Sequence, residues 1–193
     1  AMLSKVDLNV LALLIGMMIQ VLILKETGLF RFLSIWAAQR VRGNPVALLA
    51  ALSTLVLLCS ALLDNVTTVL LTVPITFSLA RQLGISAKPF VIAQIFASNI
   101  GGTCTMIGDP PNIMIASAVP ELDFMAFIRN LALPCVISFI FTLGILLLIF
   151  RRDLRCDEQN KRHIMAMSTK GLIRCPRMLH KCLFTLGLTI VLF

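Results

Sequence analysis

Asn99-Ile-Gly-Gly-Thr-Cys-Thr-Met-Ile-Gly-Asp-Pro-Pro-Asn112 is the stretch that decides how this chain is built. It is polar and rich in helix breakers, yet apolar runs flank it on both sides. In hydrocarbon every unpaired N–H or C=O is costly, so non-helical chain at membrane depth persists only where protein buries it or where it lines an aqueous cavity. An intramembrane Asp109 beside two prolines therefore points to a binding site.

The rest of the composition agrees. The chain is 59% hydrophobic and 13% charged, with a mean hydropathy of +0.97, which excludes an ordinary soluble domain and predicts a polytopic membrane protein. A net charge of +8 would suggest nucleic acid in a soluble protein. Here the excess sits in short loops, as the positive-inside rule requires, so the expected partner is the lipid bilayer and not a nucleic acid. Six cysteines at 59, 104, 135, 156, 175 and 182 form no even framework and read as reduced thiols.

Residues 6–24 are nearly all aliphatic and predict a first span with its Lys25 end cytoplasmic. Residues 28–42 alternate apolar side chains with Arg31, Arg40 and Arg42 around Trp36, the pattern of a helix lying along the inner interface. Pro45 opens the next apolar run, at a helix position where its missing N–H costs nothing. Asp64-Asn-Val-Thr-Thr68 interrupts that run, and apolar residues resume to Leu83. Both ends of the pair are basic, so residues 45–83 enter and leave on one side. Length admits either two full spans or a re-entrant hairpin. The short tip lacks flanking charge or Trp, which favours the hairpin. Within its second arm Pro74 predicts a kink, with Thr72 or Thr76 expected to satisfy the freed carbonyl.

Residues 89–119 then predict one span with an unwound middle, residues 120–130 an outer loop, and residues 131–150 a last span returning inward. Residues 151–181 carry nine Lys/Arg against three acids and read as a basic cytoplasmic linker. Residues 182–193 are too short to span and read as the start of a truncated further span, so the sequence is expected to be part of a longer chain. The cytoplasmic segments are then residues 25–42, 81–88 and 151–181. Plasma and organellar membranes both remain open.

Each break leaves a helix C-terminus and a helix N-terminus facing one small volume, with opposite partial charges. Asn65 and Thr67 are expected N-caps of the second hairpin arm. Asp109 is expected to cap the helix begun by Pro110, with Gly101, Gly102 and Gly108 permitting irregular backbone. Helix N-termini attract anions, and exposed carbonyls with a carboxylate attract Na⁺ or H⁺, so paired breaks point to a transporter's midplane site. The plainer alternative is that Asp64 only caps a buried turn.

Leu63-Asp-Asn-Val-Thr-Thr68, Asn99-Ile-Gly-Gly-Thr103 and Ile107-Gly-Asp-Pro-Pro-Asn-Ile113 also resemble the paired motifs of the arsenite permease and NhaD-type antiporter group of the ion transporter superfamily. Within that group the chain resembles the melanosomal permeases linked to pigmentation. It covers residues 6–150, including Lys25-Glu-Thr-Gly-Leu29. The resemblance implies an all-α fold of spanning helices, a re-entrant helical hairpin and a broken helix, one half of an inverted-repeat transporter working by alternating access, with residues 1–150 as the first transport repeat. It implies a hairpin tip of Asp64, Asn65, Val66, Thr67 and Thr68. It implies an unwound helix of Asn99, Gly101, Gly102, Thr103, Gly108, Asp109, Pro110 and Asn112. Pairing of full-length copies as a homodimer is a further implication.

The function these readings predict is secondary active transport of a small ion or organic anion, with no resident cofactor and with Na⁺ or H⁺ coupling through Asp64 and Asp109. Two alternatives use the same residues: a channel-like anion conductance, and an intramembrane aspartyl protease built on the two acids sharing a proton. The protease signature would be Gly-x-Gly-Asp, where this chain has Met106-Ile-Gly-Asp109. Cys156, His163, Cys175, His180 and Cys182 lack the spacing of a zinc site. Asn65-Val-Thr67 matches a glycosylation sequon but lies within apolar sequence.

Overall fold

The computed structural model describes residues 8–119, 121–154, 156–166, 171–173 and 175–192. Among these residues the regular structure is helical, with no strand. In chain order the helices are α1 (Leu8–Glu26), α2 (Leu29–Arg40), α3 (Pro45–Leu62), α4 (Asn65–Leu83), α5 (Lys88–Cys104), α6 (Pro110–Ala118), α7 (Phe124–Phe150), α8 (Glu158–Ala166) and α9 (Pro176–Leu192). Among the described residues α3, α4 and α7 are long and apolar enough to cross a membrane. The chain is an all-α membrane protein.

Local chemistry sets the boundaries. Gly28 takes a left-handed φ of 80° between α1 and α2, a conformation that Cβ penalises. Asn44 caps α3, its Oδ1 accepting from the Val46 and Ala47 N–H groups at 3.1 and 3.4 Å, with Pro45 in the first turn where no partner is needed. α4 stops at Gly84, φ 68°, where the Ile85 N–H closes back on the Ala80 carbonyl at 3.0 Å.

α3 and α4 form the hairpin. By helix geometry each arm covers about 27–29 Å, so arm length alone admits both a re-entrant and a fully spanning pair. α5 packs closely along α3, and the main core lies at the end of the bundle opposite the polar breaks. There Leu48, Leu49 and Leu52 of α3 meet Leu79 and Leu83 of α4, with Phe90 of α5 beside them.

Several boundaries depart from those expected. α7 begins at Phe124, so residues 124–130 belong to the helix and not to a loop. Asp123 is its cap, accepting the Ala126 N–H at 2.6 Å, and Pro134 lies inside the helix. The basic stretch 151–181 holds α8, whose Ile164 is fully buried in the main core with Leu154. α8 is pinned to the hairpin by Asn160, whose amide donates to the Leu83 carbonyl at 3.1 Å, and the Cys156 thiol donates to the same oxygen at 3.1 Å. α9 starts at Pro176, six residues before the run at 182. At Pro74 the expected repair differs as well. The Thr72 hydroxyl bonds the Thr68 carbonyl at 2.9 Å, and the Thr76 hydroxyl oxygen accepts from Gln94 at 2.6 Å.

Candidate functional site

The first break is small. α3 ends as Leu63 becomes extended (φ −131°, ψ 158°), and Asp64 then caps α4. Its Oδ2 accepts both the Thr67 N–H at 2.8 Å and the Thr67 hydroxyl at 2.5 Å. The cap is therefore Asp64 itself and not Asn65 or Thr67. Asn65 is the first helical residue, and Thr67 is the donor. Thr68 is fully buried, and its hydroxyl has no hydrogen-bond partner among the described residues.

The second break is narrower than expected. α5 stays helical through Cys104, so Asn99, Gly101, Gly102 and Thr103 lie on a regular helix and the unwound chain is residues 105–109. Gly101, Gly102 and Gly108 are absent from the positive-φ residues, so left-handed torsion is not why glycine stands there. The reason is proximity. A Cβ on Gly101 would overlap the Leu57 carbonyl oxygen, and one on Gly108 would sit 2.6 Å from the Gly102 oxygen and 2.7 Å from the Ser60 oxygen. The broken helix thus lies backbone against backbone on the hairpin's first arm.

Side chains stitch this contact. The Ser60 hydroxyl donates to the Ser98 carbonyl at 2.7 Å. The Thr105 hydroxyl donates to the Ala61 carbonyl and accepts the Gly108 N–H at 3.1 Å. From α6, the Asn112 amide reaches back to the carbonyls of Thr105 at 2.9 Å and Gly102 at 3.2 Å. It thereby satisfies acceptors that the end of α5 would otherwise orphan.

Asp109 occupies the cap position of α6, yet its carboxylate makes no capping bond. The two prolines explain this. A cap side chain bonds the N–H of the second or third helical residue; here the second is Pro111, which has none, and the third, Asn112, gives its N–H to the Asp109 carbonyl at 3.0 Å. The half-buried carboxylate therefore makes no bond to the start of its own helix. At the tip, the Asn65 amide approaches Asn99 Oδ1 at 3.4 Å. These two residues, with Val66, Ser98 and three apolar side chains, line a cavity of about 250 Å³.

Ser60, Ser98, Thr105 and Gln94 join the site although none of them stands out as a site residue in the sequence. Gln94 is buried, its amide donating to Thr76 of α4 at 2.6 Å, and it joins the hairpin's second arm to the broken helix. Its signal was an amide alone within the apolar run Pro89-Phe-Val-Ile-Ala-Gln-Ile-Phe-Ala97. Among the described residues no three His, Cys, Asp or Glu side chains gather as a metal site. The side chain of His163 lies outside the described residues, and His180 is engaged locally, its Nδ1 2.7 Å from the Pro176 carbonyl oxygen.

The sequence profile of the citrate transporter family matches residues 1–193. A 46 kDa membrane protein of Mycobacterium leprae is 41% identical over 188 residues, covering 97% of this chain and 44% of its own length. A protein of Mycobacterium tuberculosis named as an uncharacterized transporter is 41% identical over 177 residues, covering 92% of this chain and 41% of its own length. The P protein of Mus musculus is 38% identical over 149 residues, covering 75% of this chain and 18% of its own length. The chain spans less than half the length of these relatives. One of these relatives is named a transporter, in line with the likeness to ion-transporting permeases carried by the two motifs, and the chain belongs to the citrate transporter (CitMHS) family.

Proposed function

We propose that this chain forms half of a secondary active transporter for small organic anions, coupled to Na⁺ or H⁺ and working by alternating access. The observation that carries the reading is the uncapped Asp109 carboxylate, held at a helix break docked on the hairpin tip. A carboxylate held at membrane depth without a bond to its own helix is costly unless it exchanges a proton or meets a cation. Asp64 caps the helix start at the other break, and the helix N-termini that begin at Asn65 and Pro110 offer positive partial charge to an anion. The hairpin tip is re-entrant in this account, and the basic segments 25–42, 81–88 and 151–181 face the cytoplasm. Citrate is the first anion to test, because the family is named for it.

The test is uptake of citrate and other small carboxylates by the full-length protein in sealed vesicles, with Na⁺ and proton gradients imposed separately. The expected result is accumulation above equilibrium under one of the gradients and none without it. Conductance that stays unitary and gradient-independent would replace the carrier by a channel.

A further inference from the structure

The face shared by α4 and α5 carries a second cavity, away from the breaks, of about 610 Å³. It reaches the turn between the helices, where Arg81 and Lys88 both belong to its lining and both stand exposed. Among the described residues neither cation meets a carboxylate. The inner wall is apolar, formed by Phe77 of α4 and Val91 of α5 among others, and Phe77 is 52% exposed.

The apolar surface does not stop at the cavity. Leu70 is seven residues before Phe77 on α4, and Ile95 is seven after Lys88 on α5, both on the same faces by helical spacing. They are 67% and 45% exposed and line the cavity of about 250 Å³ already described beside Asn65 and Asn99. From Arg81 to Leu70 the track runs about 16 Å along the helix, about the depth of one leaflet of a 30 Å hydrocarbon core.

We propose that this groove binds an anionic phospholipid, its headgroup phosphate between Arg81 and Lys88 and one acyl chain along Phe77, Val91, Leu70 and Ile95. The dimensions select the occupant. A free phosphate would leave the apolar track empty, and a zwitterionic lipid would leave the two cations facing its own ammonium. Arg81 stands in the last turn of α4, the end that the proposed function places at the cytoplasmic surface, and on that reading the mouth lies at headgroup level. Each basic side chain near an anionic membrane surface favours binding about fivefold, hence about 30-fold for the pair.

The experiment is native mass spectrometry of the full chain, purified in detergent and offered equal amounts of dioleoyl phosphatidylglycerol and dioleoyl phosphatidylcholine. Wild type should retain phosphatidylglycerol preferentially. Arg81→Gln/Lys88→Gln should bring the two lipids to near parity, while Arg81→Lys/Lys88→Arg and Arg151→Gln/Arg152→Gln keep the preference. Equal retention of both lipids by wild type overturns the proposal. So does a preference that survives Arg81→Gln/Lys88→Gln or collapses equally in Arg151→Gln/Arg152→Gln. A measurement on wild type alone guards against a variant that fails to fold: phosphatidylglycerol with a photoreactive acyl chain should crosslink to the peptides holding Phe77 and Val91. Crosslinks confined to α7 or to residues 151–181 would also overturn it.

Discussion

Gly108→Ala is the substitution that most sharply tests how the two breaks are held together. The added methyl would lie 2.6 Å from the Gly102 oxygen and 2.7 Å from the Ser60 oxygen. Both are backbone atoms, so no rotamer change relieves the clash. Restoring ordinary contact at about 3.4 Å requires the break to part from the hairpin arm by roughly 0.7 Å at Ser60 and from the end of α5 by roughly 0.8 Å at Gly102, and overpacking of this kind costs about 1–3 kcal/mol. That shift also stretches the bonds from Ser60 to Ser98 and from Thr105 to Ala61, and losing one of them adds about 1 kcal/mol. The total is about 2–4 kcal/mol, which for a chain of this size lowers Tm by about 5–15 °C. The assay is thermal unfolding of detergent-purified protein, with Gly144→Ala alongside. No atom lies within 4 Å of a methyl added at Gly144, so this variant should unfold at or slightly above the wild-type temperature. If Gly108→Ala and Gly144→Ala unfold together at the wild-type temperature, the backbone contact inferred here is wrong.

Other expectations follow from the same contacts. Asn112→Ala removes the donor serving the Thr105 and Gly102 carbonyls and should cost about 1–3 kcal/mol, read as a lower Tm and faster hydrogen exchange at the end of α5. Gln94→Leu should destabilise by about 1–2 kcal/mol by orphaning the Thr76 hydroxyl, and Gln94→Leu/Thr76→Val should recover part of that loss; a double-mutant cycle with no coupling would contradict the bridge. Ile164→Ala empties a fully buried site between α8 and the hairpin and should cost about 2–5 kcal/mol, with new protease cleavage within residues 151–181 as its readout.

How far the sequence could be read depended on whether a feature was local. Pro45 and Gly84 mark helix ends by their own torsions and hydrogen-bonding capacity, and both ends lie at those residues. The hairpin and the broken helix were legible because polar residues interrupt apolar runs too long to be accidental. Asp123 was not, since an acid among Glu121 and Arg129 reads as loop charge until its bond to the Ala126 N–H is seen. α8 escaped for a different reason: Glu-Gln-Asn-Lys-Arg-His-Ile-Met-Ala166 is polar by itself, and what orders it is a surface on α2 and α4 distant in sequence. At the site, the residues were legible and several of their tasks were not. Gly101 and Gly108 signal either torsion or proximity, and only the position of α3 decides for proximity. Asp109 before two prolines looks like a cap, whereas the missing N–H of Pro111 and the local bond of Asn112 release its side chain.

The most direct test of the account is gradient-driven uptake by the full-length protein carrying Asp109→Asn, measured beside wild type and Asp64→Asn at matched membrane expression. The account predicts that Asp109→Asn loses accumulation against a gradient, and that Asp64→Asn, which weakens the α4 cap as well as removing a charge, loses both accumulation and thermal stability. Accumulation at wild-type rate and extent by Asp109→Asn would contradict it.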